Sequence, residues 1–91
     1  MNFKVEVKLY QRTQRDLAST INQIIDKYWE DGINESQMTE LIHQLYKTNN
    51  DKFMKNGKYT TIILQQCGKR RLNIVTNILS KIDSIKDNNV L

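Results

Sequence analysis

The first ten residues alternate apolar and polar side chains. Phe3, Val5, Val7 and Leu9 occupy every second position, with polar residues between them. A period of two predicts a half-buried β-strand over residues 2–10. A lone strand needs a partner, which would be either a later segment or the same strand of a second copy in a dimer.

A first helix is predicted from about Thr13 to Asp31. Thr13 suits the N-cap position, Asp16 stands three residues later as in a capping box, and Gly32 suits the left-handed C′ position that ends a helix. The helix carries one apolar stripe. Its members are Leu17, Ile21, Ile24, Ile25 and Tyr28.

A second helix is predicted after Asn34, with Gln37 completing a capping box. Ile33 before the cap and Met38 in the first turn are placed to form a hydrophobic staple. The helix should end near Lys47, because residues 48–51 (Thr-Asn-Asn-Asp) are typical of a loop. Its apolar stripe consists of Met38, Leu41, Ile42, Leu45 and Tyr46.

Residues 52–66 support two interpretations. Asn56-Gly57 lies between short apolar and β-prone segments, and this dipeptide favours a hairpin with a type I′ turn. Thr60 could instead be the N-cap of a short helix over 61–67. The favoured interpretation is a helix from about Thr60, with Lys55–Lys58 as a loop.

The last helix is predicted from Arg71 to Ile85. Its apolar residues recur at helical spacing, and residues 86–91 are expected to fray. The chain is therefore expected to form one mainly α domain over residues 1–85, with a short N-terminal strand and a frayed tail. The stripe contains Leu72, Ile74, Val75, Ile78, Leu79, Ile82 and Ile85.

Charge is strongly segregated along the chain, although the net charge is only +4. The segment from Lys52 to Lys81 contains seven basic residues and no Asp or Glu. Residues 16–51 carry a charge of −5, and residues 1–15 carry +3. A concentrated basic surface most often meets a phosphate backbone. A solvated basic face without a partner is the alternative.

The basic segment contains the pattern of a helix-turn-helix. A short helix would run into Gly68, which can adopt the positive φ of the turn, and a longer helix would follow. Leu64, before the turn, and Ile74 and Ile78, after it, would be buried where the two helices cross. In such motifs the start of the second helix enters the major groove.

The candidate DNA-binding residues fall into three groups. Arginine suits guanine and asparagine suits adenine, so three residues are candidates for reading bases. Four others would contact the DNA backbone. Lys55 and Lys58 would reach a minor groove if Asn56-Gly57 is the tip of a wing. The base readers are Arg70, Asn73 and Asn77, and the backbone candidates are Lys58, Thr60, Lys69 and Arg71.

On these residues the chain resembles helix-turn-helix and winged-helix DNA-binding families, from Thr60 to Ser80. The chain also resembles a family of small proteins from low-GC Gram-positive bacteria and their mobile elements. This resemblance rests on the segment from Lys55-Asn56-Gly57 to Cys67-Gly68-Lys69-Arg70-Arg71-Leu72. In size and style the chain is similar to TcpK, an accessory protein of conjugative plasmids. These resemblances imply a dimeric, sequence-specific protein that binds boxes in double-stranded DNA, as a regulator or a conjugation factor. A wing would then have to come from the Lys52–Thr61 hairpin or from the N-terminal strand.

Two other functions remain open. In a ribbon-helix-helix repressor the N-terminal strands of a dimer would enter the major groove, with Lys4, Glu6 and Lys8 as readers. Alternatively, the protein could be a protein-interaction module or an antirepressor, in which the acidic segment 16–51 binds a basic partner and no nucleic acid is involved.

Catalytic, metal and membrane functions are not expected. No carboxylate pair, phosphate loop or catalytic triad spacing occurs, and one Cys with one His does not make a zinc site. Cys67 is expected to be a small buried hydrophobe, although its basic neighbours could lower its pKa. No apolar run approaches the length of a membrane span, and we expect a cytoplasmic protein without a cofactor.

Overall fold

The structure is a computed structural model that describes residues 8–90, with the side chains of residues 8–81. The strand predicted over residues 2–10 lies mostly outside the described residues. Its last part, residues 8–10, forms an irregular segment with a bend instead of a strand. The strand that the ribbon-helix-helix interpretation requires therefore stays a prediction for residues 2–7.

Helix α1 runs from Gln14 to Trp29. The N-cap prediction is confirmed, because the hydroxyl of Thr13 accepts a hydrogen bond from the backbone N–H of Asp16. The prediction that Gly32 takes the left-handed C′ position is wrong by one residue. Asp31 adopts φ 63°, and the N–H groups of Asp31 and Gly32 donate to the carbonyls of Tyr28 and Lys27. This is a Schellman motif, in which a short polar aspartate tolerates the left-handed conformation.

Helix α2 runs from Glu35 to Thr48 and begins with the predicted capping box. The N–H of Asn34 donates to the side chain of Gln37 at 2.9 Å, and the N–H of Gln37 donates to the side chain of Asn34 at 2.8 Å. The predicted end near Lys47 is confirmed to within one residue, whereas the loop predicted for residues 48–51 is reduced to Asn49. A short helix, α3, follows at Asn50–Phe53, where the carbonyl of the fully buried Asn49 accepts hydrogen bonds from the N–H groups of Lys52 and Phe53.

The hairpin that Asn56-Gly57 favours does form. The prediction of a loop from Lys55 to Lys58 is therefore wrong. Strand β1 (Met54–Lys55) pairs antiparallel with strand β2 (Lys58–Tyr59). Asn56 and Gly57 have φ values of 55° and 78°, as a type I′ turn requires. The helix predicted after Thr60 forms as well, so the two interpretations of this segment hold side by side.

Helix α4 runs from Thr61 to Val90 and is broken at Gly68. Gly68 has φ 81° and ψ 168°, which separates a short first segment (61–67) from a long second segment (69–90). The predicted positive φ at Gly68 is confirmed, although the turn is a single residue. The helical backbone continues past Ile85, where we expected it to end, and the fraying of residues 86–91 stays a prediction.

The core lies between α1, α2 and α4, with Phe53 of α3 closing one end at 0% exposure. Helix α1 packs mainly against α4 and also against α2. The predicted stripes supply most of the buried side chains, so the mainly α fold class is confirmed, with a small two-stranded sheet added. The buried stripe residues are Leu17, Ile21, Ile24 and Ile25 of α1, Met38, Ile42 and Leu45 of α2, and Leu72, Val75, Ile78 and Leu79 of α4.

Candidate nucleic-acid interface

A direct contact holds the hairpin against the second segment of α4. The hydroxyl of Tyr59, the last residue of β2, lies 2.7 Å from the hydroxyl of Thr76. Tyr59 is half-buried, and its ring centroid lies 6.4 Å from that of Phe53 in the core. Burial raises the pKa of Tyr59 above its ordinary value, and either hydroxyl of the pair can donate this hydrogen bond. The hairpin is therefore fixed beside the outward face of α4.

Two lysines face each other across this hairpin. Lys55 and Lys58 are directly opposite residues in the strand register, and both are exposed. Like charges in opposite cross-strand positions destabilise a sheet, and a sheet of two residues per strand has few other pairs to offset the cost. An approaching polyanion would remove this repulsion. The predicted candidates Lys55, Asn56 and Lys58 are thus all exposed at the hairpin and its turn.

The outward face of the second segment of α4 is polar and free of acidic residues down to Lys81. Asn73 and Ser80 are helical neighbours of Thr76, so they lie beside the hairpin. Lys69 and Lys81 mark the two ends of the face, separated by about 18 Å along the helix axis. Its exposed members are Lys69, Arg70, Asn73, Thr76, Asn77, Ser80 and Lys81. The structure thus places seven predicted candidates on the hairpin and the α4 face, together with Tyr59 and Thr76: Lys55, Asn56, Lys58, Lys69, Arg70, Asn73 and Asn77.

Arg70 lies at the start of this face, over an aromatic ring from α1. Its guanidinium carbon is 5.2 Å from the ring centroid of Trp29, which is 42% exposed. A cation over an indole ring is stabilised by the ring's quadrupole, and the stacking limits the rotamers of the arginine. Arg70 itself remains exposed. Trp29 therefore orients the strongest candidate base reader without covering it.

Arg71 is engaged by the protein itself. Its Nε and Nη2 atoms donate to the two carboxylate oxygens of Asp26 at 3.0 and 3.1 Å, and Nη1 donates to the carbonyl of Cys67 at 3.2 Å. The hydrogen bond to Asp26 raises the pKa of Arg71 further. The structure corrects our assignment of Arg71 as a free phosphate contact, because its donors already join α4 to α1.

Thr60 is also used structurally. It is 8% exposed, and its hydroxyl donates to the carbonyl of Lys52 at 2.9 Å. Its own carbonyl accepts the hydrogen bond from Leu64 that starts α4. This burial takes Thr60 out of the set of exposed DNA-contact candidates.

The packing around the break differs in one respect from the predicted helix-turn-helix. Leu64 is 51% exposed, so the prediction that it is buried between the two segments is wrong. Ile63 and Cys67 fill the inner side instead, at 0% and 3% exposure. Residues 63 and 67 are one helical turn apart and share the buried side, and Cys67 contacts Ala18 of α1 there.

Cys67 is a buried thiol whose acidity is suppressed. Its Sγ lies 3.7 Å from the carbonyl of Ala18. Burial raises the pKa of the thiol to about 11, and the nearby charge of Arg71 offsets this only in part. The alternative of a low pKa caused by basic neighbours is therefore wrong, because desolvation outweighs their attraction.

The residues that assemble this surface were not among the predicted candidates, namely Tyr59, Thr76, Asp26 and Trp29. The partners are separated by 17 residues for Tyr59 and Thr76 and by 45 for Asp26 and Arg71. Periodicity reports the buried side of one element, and no local signal pairs two distant polar groups.

Among the described residues, no group of three His, Cys, Asp or Glu side chains is placed to hold a metal ion. No helix in this part of the chain is long and apolar enough to cross a bilayer.

The fold is that of a small helical domain with a β-hairpin inserted before a broken last helix. The chain belongs to a protein family described as conserved hypothetical proteins, which it matches over residues 8–80. The nine candidate residues all lie within this match. No curated protein and no solved structure matches the chain. The resemblances to helix-turn-helix proteins and to TcpK stay predictions.

Proposed function

We propose that this protein binds double-stranded DNA through the β-hairpin and the outward face of the second segment of α4. One observation carries the proposal. Two opposed lysines, Lys55 and Lys58, stand on a hairpin that Tyr59 fixes beside an acid-free, amide-rich helix face. Phosphate contacts would supply most of the affinity, and side chains of α4 would supply the specificity.

The chemistry of the face suits a major groove. Arg70 can donate two hydrogen bonds to guanine, and Asn73 and Asn77 can pair with adenine. The hairpin would meet the flanking backbone or the adjacent minor groove, with Lys55 and Lys58 near phosphates. Lys69 and the start of the second segment would meet the backbone on the other side.

The biological setting that fits this proposal is a plasmid or mobile element. There the protein would act in the cytoplasm as a transcription regulator or as a conjugation accessory factor. Two copies bound to two half-sites would double the contact area that one small domain provides. A dimer is thus part of the proposal, and sedimentation equilibrium with and without DNA would test it.

The decisive experiment is fluorescence anisotropy with a labelled duplex from the protein's own upstream DNA, at several salt concentrations and with a scrambled competitor. The wild type should bind tightly, with a steep salt dependence, and should resist the competitor. The double variant Lys55→Ala with Lys58→Ala should lose affinity for all sequences, and its log–log salt slope should fall by about 2.

A matched control removes the same charge elsewhere. Arg15 and Lys47 are exposed, lie outside the hairpin and α4, and are replaced by alanine in the control double variant. It should keep most of the wild-type slope. Absence of duplex binding by the wild type, or equal losses in both double variants, would contradict the proposal.

A further inference from the structure

A second basic surface, which forms a groove, lies immediately before α1. It has a volume of about 510 Å³ and is open to solvent on the side of three exposed residues, Lys8, Tyr10 and Arg12. Gln11 forms part of its floor at 6% exposure, and Asp16 supplies its one carboxylate. In the part of the chain that the structure describes, neither Lys8 nor Arg12 forms an ion pair.

Hydrogen bonds to a buried asparagine hold this groove in place. The Oδ1 atom of Asn49 accepts the backbone N–H of Gln11 at 2.9 Å, and its Nδ2 atom donates to the carbonyls of Leu9 at 2.6 Å and Leu45 at 3.0 Å. The side chain of Gln11 donates to the carbonyl of Lys8. The backbone that carries Lys8 and Arg12 is therefore fixed to the junction between α2 and α3, which limits the entropy lost when these cations bind a ligand.

A lysine of α3 joins the groove to the segment that leads into the hairpin. The ammonium of Lys52 in α3 lies 4.9 Å from the ring centroid of Tyr10, which stays 59% exposed. Lys55 follows Lys52 by three residues, so their Cα atoms are separated by at most about 11 Å. Lys52 thus contacts Tyr10 of the groove and lies three residues before Lys55 of the hairpin.

We propose that this groove is a second contact site for the phosphodiester backbone of the same DNA, in addition to the hairpin and α4. The inference rests on the proposed DNA-binding function. Lys8 and Arg12 would each neutralise a phosphate, and the exposed ring of Tyr10 would pack against the sugar between them. Asp16 opposes this contact, because its negative charge faces the same groove.

The test compares two charge-matched double variants in the salt-dependent anisotropy assay. Lys8→Ala with Arg12→Ala should lower the log–log salt slope by about 2 relative to wild type, whereas Arg15→Ala with Lys47→Ala should leave it nearly unchanged. Thermal melting of the wild type and of both double variants would check that each protein is folded. Equal slopes for the groove variant and the wild type would overturn the groove site.

A third variant changes affinity in the opposite direction. Asp16→Asn removes the carboxylate from the groove and leaves intact the hydrogen bond from the backbone N–H of residue 16 to Thr13. It should bind the duplex more tightly than wild type at low salt, and the difference should shrink as salt rises. Unchanged or weaker binding would count against the groove.

The results separate the two proposals. If the wild type does not bind duplex DNA at all, the proposed function fails. If the wild type binds and the hairpin variant loses affinity while the groove variant does not, only the groove site fails.

Discussion

Arg71 and Asp26 form a bidentate ion pair that joins the second segment of α4 to α1, with donor–acceptor distances of 3.0 and 3.1 Å. Arg71 also donates to the carbonyl of Cys67, which lies on the other side of the break at Gly68. One side chain therefore connects both segments of α4 to α1. The pair fixes where the outward face of α4 begins.

The ion pair predicts a measurable coupling. Asp26→Asn and Arg71→Lys should each lower the free energy of unfolding by about 1 kcal/mol, because both side chains remain partly exposed and solvent screens them. Urea unfolding of wild type, both single variants and the double variant gives the coupling energy. The double variant should be less destabilised than the sum of the single variants, and strict additivity would contradict the pairing.

Gly68 should be the glycine that is hardest to replace. Its φ of 81° and ψ of 168° lie in a region that only glycine adopts readily, and an added Cβ would meet no atom within 4 Å. Gly68→Ala should therefore cost about 1–3 kcal/mol through backbone strain alone. Gly68→Asn should not recover this loss, because asparagine favours the left-handed helical region instead.

The turn glycine provides the control for this comparison. Gly57 has φ 78° and also has open space at its Cβ position. Asparagine is tolerated in type I′ turns, so Gly57→Asn should cost less than Gly68→Asn. Urea unfolding would measure both, and equal costs would mean that the break at Gly68 tolerates a side chain.

Cys67 should make stability depend on pH in the alkaline range. Its thiol pKa is raised from 9.0 to about 11 in the folded protein. Between these values the unfolded chain loses its proton and the folded protein keeps it, so stability is full below pH 9 and falls as the pH rises towards 11. The loss should reach about 2–3 kcal/mol, since one pKa unit corresponds to about 1.4 kcal/mol.

A variant isolates the thiol from the other alkaline groups. Cys67→Ala should flatten the dependence between pH 9 and 10, even if its overall stability is lower. Tyr59, whose pKa is also raised, would still cause a loss above pH 10. Urea unfolding between pH 9 and 11 is the measurement, and an unchanged slope in Cys67→Ala would show that the thiol does not contribute.

The buried thiol should also react slowly. In the wild type, a disulfide reagent at pH 8 should react with Cys67 only as fast as the protein opens.

Elements with strong local signals could be predicted from the sequence. Thr13 and the pair Asn34 and Gln37 cap their helices as expected, because a cap depends on residues only three positions apart. The apolar stripes gave the core for the same reason. Gly68 was recognisable because few residues other than glycine adopt a positive φ at a helix break.

The errors arose where local signals compete or where distant residues decide. Asp31 and Gly32 can both adopt a left-handed conformation, and their order along the chain does not say which one does. For the candidate site, the sequence pointed to charged residues but could not show which of them the protein uses internally. The ion pair that engages Arg71 but not Arg70 is with Asp26, a residue 45 positions away. Asn49 looked like part of a loop and is a fully buried anchor for the N-terminal segment.

Arg70 should determine base preference. Arg70→Ala should weaken binding to the specific site by about 1–3 kcal/mol and relax the preference at one base pair, because a bidentate contact to guanine is lost. Lys69→Ala should instead weaken all sequences alike. Competition binding against a panel of single base-pair substitutions distinguishes the two effects, and an unchanged isotherm for Arg70→Ala would remove it from the interface.

The opposed lysines of the hairpin should have opposite effects on stability and binding. Lys58→Thr removes the repulsion with Lys55 and introduces a β-branched residue, so the free energy of unfolding should rise by about 0.2–1 kcal/mol at low salt. Salt screens the repulsion, so the part of the gain that comes from charge should shrink at high salt. DNA affinity should fall in the same variant, because one phosphate contact is lost.

The exposed Lys47 of α2 provides the control, since Lys47→Thr should not raise the free energy of unfolding and should leave DNA affinity nearly unchanged. If Lys58→Thr is more stable and also binds DNA as well as wild type, the hairpin charge serves neither folding nor binding. If it is more stable and binds more weakly, the lysine pair is kept at a cost to the fold, and a polyanionic ligand at the hairpin is the physical reason.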